Sequence, residues 1–243
     1  MENSIRVMTY NIQHGHVHLS DHIDLSRVCD VIRRFSPDII GLNEVRGRGD
    51  AHDYTAQAEE MAAMLGYHCF FGRSIYVGGW NPYGNAILSK YPIESAEVIH
   101  IPDPTPEEAA GAKWVEHRSI CRAAIDFPQP IGSVAVYSSH FGLSVPEQKH
   151  AVCAVLEAVS EEKLPFFVMG DFNVTPDDPV LAPLNERLIT TNELLDGLLS
   201  FPSDNPSCRI DYIYGGGVDF NAAGIPTVVA SDHCPVWADA ELI

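Results

Sequence analysis

The run "LPFFVMGDFN" (164–173) limits what this chain can become more than any other stretch. A strand with one wet face alternates apolar and polar side chains, whereas an unbroken apolar run reads as a strand covered on both faces. Covering both faces takes further layers of structure, and 243 residues are enough to bury such a core. The run then breaks into Gly170-Asp171-Phe172-Asn173, so polar side chains stand where a buried strand leaves the interior.

Strand-like and helix-like segments interleave around it. "SIRVMTYNI", "DIIGLNEV", "AILSKYPI", "SICRAAIDF", "SVAVYSSHF", "RIDYIYGGG" and "PVWADAELI" read as strands. Leu25, Val28, Val31, Ile32 and Phe35 recur at the helical period, and a second helix is expected around 55–65. Ser144-Val145-Pro146-Glu147 is a capping box with proline in the first turn, opening a helix that runs to about Val159. "IPDPTPEEAAGAK" (101–113) and "FPSDNPS" (201–207) read as surface loops that divide nothing, so residues 1–243 are expected to form a single domain. Strand-then-helix order in both halves suggests two packed sheets with helices outside.

Charge narrows the partners. Thirty-three acidic residues against 15 basic ones leave a net −18, which disfavours indiscriminate binding to nucleic acid. No stretch approaches the roughly 20 apolar residues of a membrane helix, so membrane insertion is not expected. "MENSIRVMTYN" lacks the pattern of an export signal, which makes a cytoplasmic location the default expectation. The six cysteines are scattered without a CxxC pair and read as mostly buried, reduced thiols.

Polar residues gather at strand ends, where α/β folds commonly carry their ligand sites. They are Asn11, Glu44, His140, Asp171 with Asn173, Asp211, and the adjacent pair Asp232 and His233. On an extended backbone Asp171 and Asn173 would leave the same face while Phe172 turns into the core. "NIQHGHVHLSDH" (11–22) adds a second candidate: His14, His16 and His18 alternate, so an extended backbone would aim all three one way, as a zinc site would need. A solvated polar loop is the plainer reading. Asn85 in "YGN" either lines a pocket or simply closes a turn, Asp177 and Asp178 look like the cap of the next helix, and Tyr76, Trp80 and Tyr83 are stacking or packing aromatics.

Seven pieces taken together decide between these readings. "MTYNIQHG", "PDIIGLNEV", "GNAILSKYPI", "SSHFGL", "VMGDFNVTPDD", "RIDYIY" and "SDHCPVWADAEL" occur in the order found in the endonuclease/exonuclease/phosphatase family, from residue 8 to residue 242, and the chain resembles that family along nearly its whole length. The resemblance implies a four-layered α/β/β/α sandwich: two packed, mainly antiparallel or mixed sheets flanked by helices, with the active site at one rim. It implies a metal-dependent phosphoric ester hydrolase in which Glu44 is the principal ligand of Mg²⁺, with Mn²⁺ as an alternative, and Asn11 and Asp232 are its neighbours. Oxygen donors suit such a hard cation.

By the same resemblance Asp171 orients or deprotonates the attacking water, Asn173 hydrogen-bonds the phosphate, and Asp211 pairs with His233. His140 stabilises the phosphorane or the leaving oxygen, and Arg118 in "EHRSICRA" grips phosphate through its forked donors. Either Asp171 or His233 could be the base. The expected partner is a small phosphodiester or phosphomonoester, with DNA or RNA as the alternative substrate. A non-catalytic protein of the same fold, or a zinc-binding protein built on the opening histidines, are the other two classes; nothing in the sequence sets the oligomeric state.

Overall fold

A computed structural model describes residues 4–243. Numbered along the chain, one sheet holds β1 (Ser4–Asn11), β2 (Ile39–Arg46), β3 (His68–Val77), β4 (Asn81–Ser89), β11 (Val218–Gly224) and β12 (Val236–Leu242), in the order β11-β12-β1-β2-β4-β3. The other holds β5 (Ile93–His100), β6 (Ser119–Asp126), β7 (Ser133–His140), β8 (Phe166–Asp171), β9 (Ile189–Thr190) and β10 (Asp211–Gly216), in the order β5-β6-β7-β8-β10-β9. Helices α1 (Leu25–Phe35) and α2 (Gln57–Leu65) cover the first sheet, and α3 (Val145–Ser160) and α4 (Ala182–Arg187) the second. This is the expected α/β/β/α sandwich.

The composition of β8 follows from its place. Phe167 and Met169 enter the core between the sheets beside Ile5, Val7 and Ile39, while Phe166 and Val168 pack under α3 beside Val155. Both faces are covered, so neither parity of the strand can be polar, and each large side chain buried this way contributes about 1.5–3 kcal/mol. Helix α1 presents Leu25, Val28, Cys29 and Ile32 to the core and is capped by Asp24, whose side chain accepts from the Ser26 N–H at 3.0 Å. The capping box opening α3 forms as read, with Glu147 Oε2 accepting the Ser144 N–H at 3.0 Å.

Each sheet contains one parallel pair, β1/β2 joined through α1 and β7/β8 joined through α3; the other pairs are antiparallel. The carboxyl ends of β1, β2, β7 and β8 meet at one rim of the sandwich. "AILSKYPI" is not one strand: β4 ends at Ser89, β5 starts at Ile93, and Lys90-Tyr91-Pro92 carries the chain from one sheet to the other. Strands β3 and β11 also exceed the sequence reading. All six cysteines are free; Cys29, Cys121 and Cys234 are buried, Cys69 and Cys208 half-buried, and Cys153 exposed on α3, so burial applies to half of them. Among the described residues no helix is long and apolar enough to cross a membrane.

Candidate active site

Asn11 ends β1, and its amide joins the two sheets. Asn11 Nδ2 donates to Glu44 Oε1 and to Asp171 Oδ2, both at 3.0 Å, while Asn11 Oδ1 accepts from the Gln13 N–H at 3.1 Å. Glu44 stands where the β2/β4 register shifts between Leu42 and Val45, with φ +59°. A bulge with a left-handed non-glycine residue re-aims a side chain at some energetic cost, and here it turns Glu44 toward the rim. Tyr83 donates its hydroxyl to Glu44 Oε2 at 2.7 Å, and Ser231 donates to Asp232 Oδ1 at 3.1 Å. The hydrogen-bond donors on these two carboxylates are neutral groups. Burial, opposed by the charge of His233 and reinforced by that of Glu44, raises the Asp232 carboxyl above its usual range.

Asp171 is held from several sides. Its backbone N–H donates to Asn43 Oδ1 at 2.9 Å, its Oδ1 accepts from the Asn173 N–H at 2.9 Å, and its Oδ2 lies 3.4 Å from His140 Nε2 and 3.5 Å from His233 Nε2. Burial pushes this carboxyl up to about 7, with the charge of His233 opposing and that of Asp211 adding to the rise. Asp211 sits opposite Asp171 in the β8/β10 ladder, accepts from Ser200 Oγ at 2.6 Å, and lies 2.9 Å from His233 Nδ1. Burial alone would lower the His233 imidazole; Asp211 and Asp171 outweigh it, and the group is pushed up to about 10. His140 goes the other way, driven well below its usual value by burial, by Arg118 and by His233.

A charged and a neutral histidine thus flank one carboxylate. Asn173 Nδ2 donates to the Phe141 carbonyl and to His140 Nε2, each at 3.0 Å. The charge of Arg118 is felt at His140; its Nη1 lies 3.3 Å from Glu116 Oε1, and its buried Nε–H has no partner. All nine residues expected at the site, Asn11, Glu44, Arg118, His140, Asp171, Asn173, Asp211, Asp232 and His233, therefore converge on this rim.

Two geometric expectations need correction. The backbone is not extended through Asn173, which has φ +53°; β8 has ended, and the turn is closed by the Asn173 N–H on Asp171 Oδ1. Phe172 does enter the core, stacked between Phe141 and Tyr212. Nor is the opening histidine stretch extended: Gln13–Gly15 is a 3-10 turn with φ +48° at His14. His14 Nδ1 lies 3.2 Å from the Tyr83 hydroxyl, His16 Nδ1 lies 3.1 Å from Gln13 Oε1, and His18 Nε2 lies 2.9 Å from Asp204 Oδ1. Three histidines with three separate partners do not form a common metal cage. Among the described residues the cluster of three potential ligand atoms is Asp171, Asp211 and His233. Both His233 nitrogens there face carboxylates, which makes the cluster an ion pair with a shared proton donor rather than an open cage.

Residues 8–233 match the Endonuclease/Exonuclease/phosphatase family. The chain belongs to this family. Its members are hydrolases of phosphoesters, phosphatases and nucleases among them, and are typically metal-dependent. The uncharacterized protein YbhP of Escherichia coli (strain K12) is 27% identical over 259 residues, covering 98% of this chain and 97% of that one. A crystal structure of an endonuclease/exonuclease/phosphatase protein from Beutenbergia cavernae superposes with a TM-score of 0.80 at 25% identity, over 99% of this chain and 72% of that one. Exodeoxyribonuclease III of Haemophilus influenzae is 28% identical over 153 residues, 61% of this chain and 52% of the relative.

Within this family member the sequence reading missed several polar residues that hold the site. Asn43 Nδ2 donates to Asn85 Oδ1 at 2.9 Å, and Asn85 Nδ2 to the Ser119 carbonyl at 3.0 Å, which ties β2 and β4 to β6 across the sandwich. Asn85 is neither a pocket wall nor a plain turn. The signal for Asn43 was available, an amide inside the otherwise apolar "DIIGLNEV". Ser200 and Ser231 carried none, because a serine in a loop is unremarked until its partner is known. Asp178 does cap the following turn, accepting from the Val180 N–H at 2.9 Å.

Proposed function

We propose that this chain is a single catalytic domain that hydrolyses a phosphodiester or phosphomonoester of a small molecule, by in-line attack of a water activated by Asp171. The observation that carries the reading is the surround of Asp171: a buried carboxylate receiving Asn11, with His140 and His233 within 3.5 Å of the same oxygen. A carboxylate so placed can accept a proton from water, and nearby N–H groups can meet the charge that builds on phosphoryl oxygens. His233 lies between two carboxylates, 2.9 Å from Asp211 Oδ2 and 3.5 Å from Asp171 Oδ2, a position that favours its protonated form; this supports Asp171 as the base and His233 as a stabiliser of negative charge. Asp211, steadied by Ser200, fixes the imidazole ring.

Asn173 and His140 line the proposed position of the phosphoryl group, and the charge of Arg118, felt at His140, suits a phosphate there. Glu44 and Asp232, with Asn11 beside them, present carboxylate oxygens whose hydrogen-bond donors are neutral groups, and this oxygen donor pair fits Mg²⁺ or Mn²⁺. When bound, such a cation supplies neutralisation of phosphoryl oxygen charge. The net −18 favours a small substrate; the match to an exodeoxyribonuclease supports DNA or RNA as the second reading.

The test is turnover of an aryl phosphodiester, an aryl phosphomonoester, single-stranded DNA and duplex DNA, each with Mg²⁺ and with chelator. Cation-dependent hydrolysis with the highest kcat/KM on an aryl ester supports the proposal. A higher value on DNA moves the assignment to a nuclease, and no turnover of any ester removes the hydrolase reading.

A further inference from the structure

The opening histidine stretch holds no metal cage, yet one of its members reaches the site through a second residue. Tyr83 has one hydroxyl proton, donated to Glu44 Oε2 at 2.7 Å. The 3.2 Å contact between Tyr83 oxygen and His14 Nδ1 therefore takes its proton from the imidazole, so the chain of donors runs from His14 to Tyr83 to Glu44. Burial, and next the charge of Arg46, push His14 down to about 4, so the ring is neutral at pH 7 and lends orientation rather than charge.

The backbone is bent to make this contact. Gln13 and His14 are consecutive non-glycine residues with φ +43° and +48°, a left-handed conformation that side chains with a Cβ disfavour. Strain of this kind persists only where surrounding structure imposes it. Gln57, buried in the first turn of α2, imposes it: Gln57 Nε2 donates to the His14 carbonyl at 2.7 Å and Gln57 Oε1 accepts the Arg46 N–H at 2.9 Å. The loop carrying His14 is thereby pinned to β2 two residues beyond Glu44.

We propose that His14 and Tyr83 are positioning residues for Glu44, fixing one of its carboxylate oxygens so that the group is oriented before a divalent cation arrives. The inference rests on the reading of Glu44 as a cation ligand. A glutamate on a strained bulge has rotatable bonds to order when it binds, and ordering them beforehand raises affinity. Hydrogen-bond partners of ligating carboxylates characteristically change metal affinity about 10–100-fold when removed.

The experiment measures Mn²⁺ dissociation constants on the full chain without substrate, from the electron paramagnetic resonance of free Mn²⁺, for the parent, Tyr83→Phe, His14→Ala, His14→Asn and Glu44→Gln, each checked for parent-like circular dichroism. Tyr83→Phe is expected to weaken Mn²⁺ binding about 10–100-fold. His14→Ala should weaken it in the same direction, and His14→Asn, which keeps an N–H near the Nδ1 position, should restore it. A purely structural role for Tyr83 would move none of these affinities. If Tyr83→Phe does not fold, the His14 pair decides alone. Loss of Mn²⁺ in Glu44→Gln with parent affinity in Tyr83→Phe and His14→Ala overturns this inference alone. Parent affinity in Glu44→Gln overturns it together with the cation reading of Glu44.

Discussion

Asp211 Oδ2 lies 2.9 Å from His233 Nδ1 in a buried setting where the same oxygen also accepts from Ser200. Two donors on one oxygen restrain Asp211, and His233 inherits that order with its far nitrogen 3.5 Å from Asp171 Oδ2. Asp211→Asn keeps the shape but replaces a charge that holds the imidazolium with a neutral amide. Its kcat should fall about 10²–10³-fold with KM little changed, and Ser200→Ala should cause a smaller fall in the same parameter, as steady-state kinetics on one ester can show.

Phe172 separates Asp171 from Asn173 and is stacked between Phe141 and Tyr212, with ring centroids 3.9 Å and 5.3 Å away. Phe172→Ala opens a cavity under both polar neighbours. A stability loss of about 3–5 kcal/mol in urea unfolding is expected. Activity should fall even under conditions where the variant is folded.

Gly170 precedes Asp171 with φ +152°, and a Cβ there would collide with the Ser139 carbonyl of the neighbouring strand. Backbone cannot give way as a flexible side chain does. Gly170→Ala should cost more than about 3 kcal/mol, measured by the same unfolding, and no rotamer change can relieve it.

Much of this was legible in the sequence, for identifiable reasons. The unbroken apolarity of β8, the stripe of α1 and the capping box of α3 are local patterns with local causes, and each element formed where its pattern placed it. The polar residues at strand ends were visible because a carboxylate or amide interrupts an apolar run. What stayed hidden depends on distant partners. The half-buried β3 and the crossing from β4 to β5 have weak local patterns. The left-handed backbone at Glu44 and Asn173 follows from tertiary hydrogen bonds that no window of neighbours contains. The histidine stretch presents no common face because alternation in sequence implies one only if the chain is extended, and a 3-10 turn at Gln13–Gly15 breaks that condition.

Away from the rim, Glu162 Oε2 accepts from Arg122 Nη2 at 2.6 Å and from the Tyr137 hydroxyl at 2.8 Å. Burial would raise this carboxyl, but the hydrogen bonds from Arg122 and Tyr137 prevail and hold it below its usual range. A carboxyl lowered in the folded state contributes stability above its unfolded pKa and loses it as pH falls through the folded value. Glu162→Gln should therefore cost about 1–2 kcal/mol at pH 7. Its deficit should shrink below about pH 4 as the parent's own carboxyl takes up a proton, which denaturant midpoints at a series of pH values can follow.

The most direct measurement is release of nitrophenol from an aryl phosphate ester by the parent chain, Glu44→Gln and Asp171→Asn, with Mg²⁺ and with chelator. The parent should turn over at least one ester only when the cation is supplied. Asp171→Asn should still bind the cation while its kcat falls about 10²–10⁴-fold, and Glu44→Gln should lose the response to Mg²⁺. Full activity in Asp171→Asn, or no hydrolysis of any ester by the parent, would contradict the account.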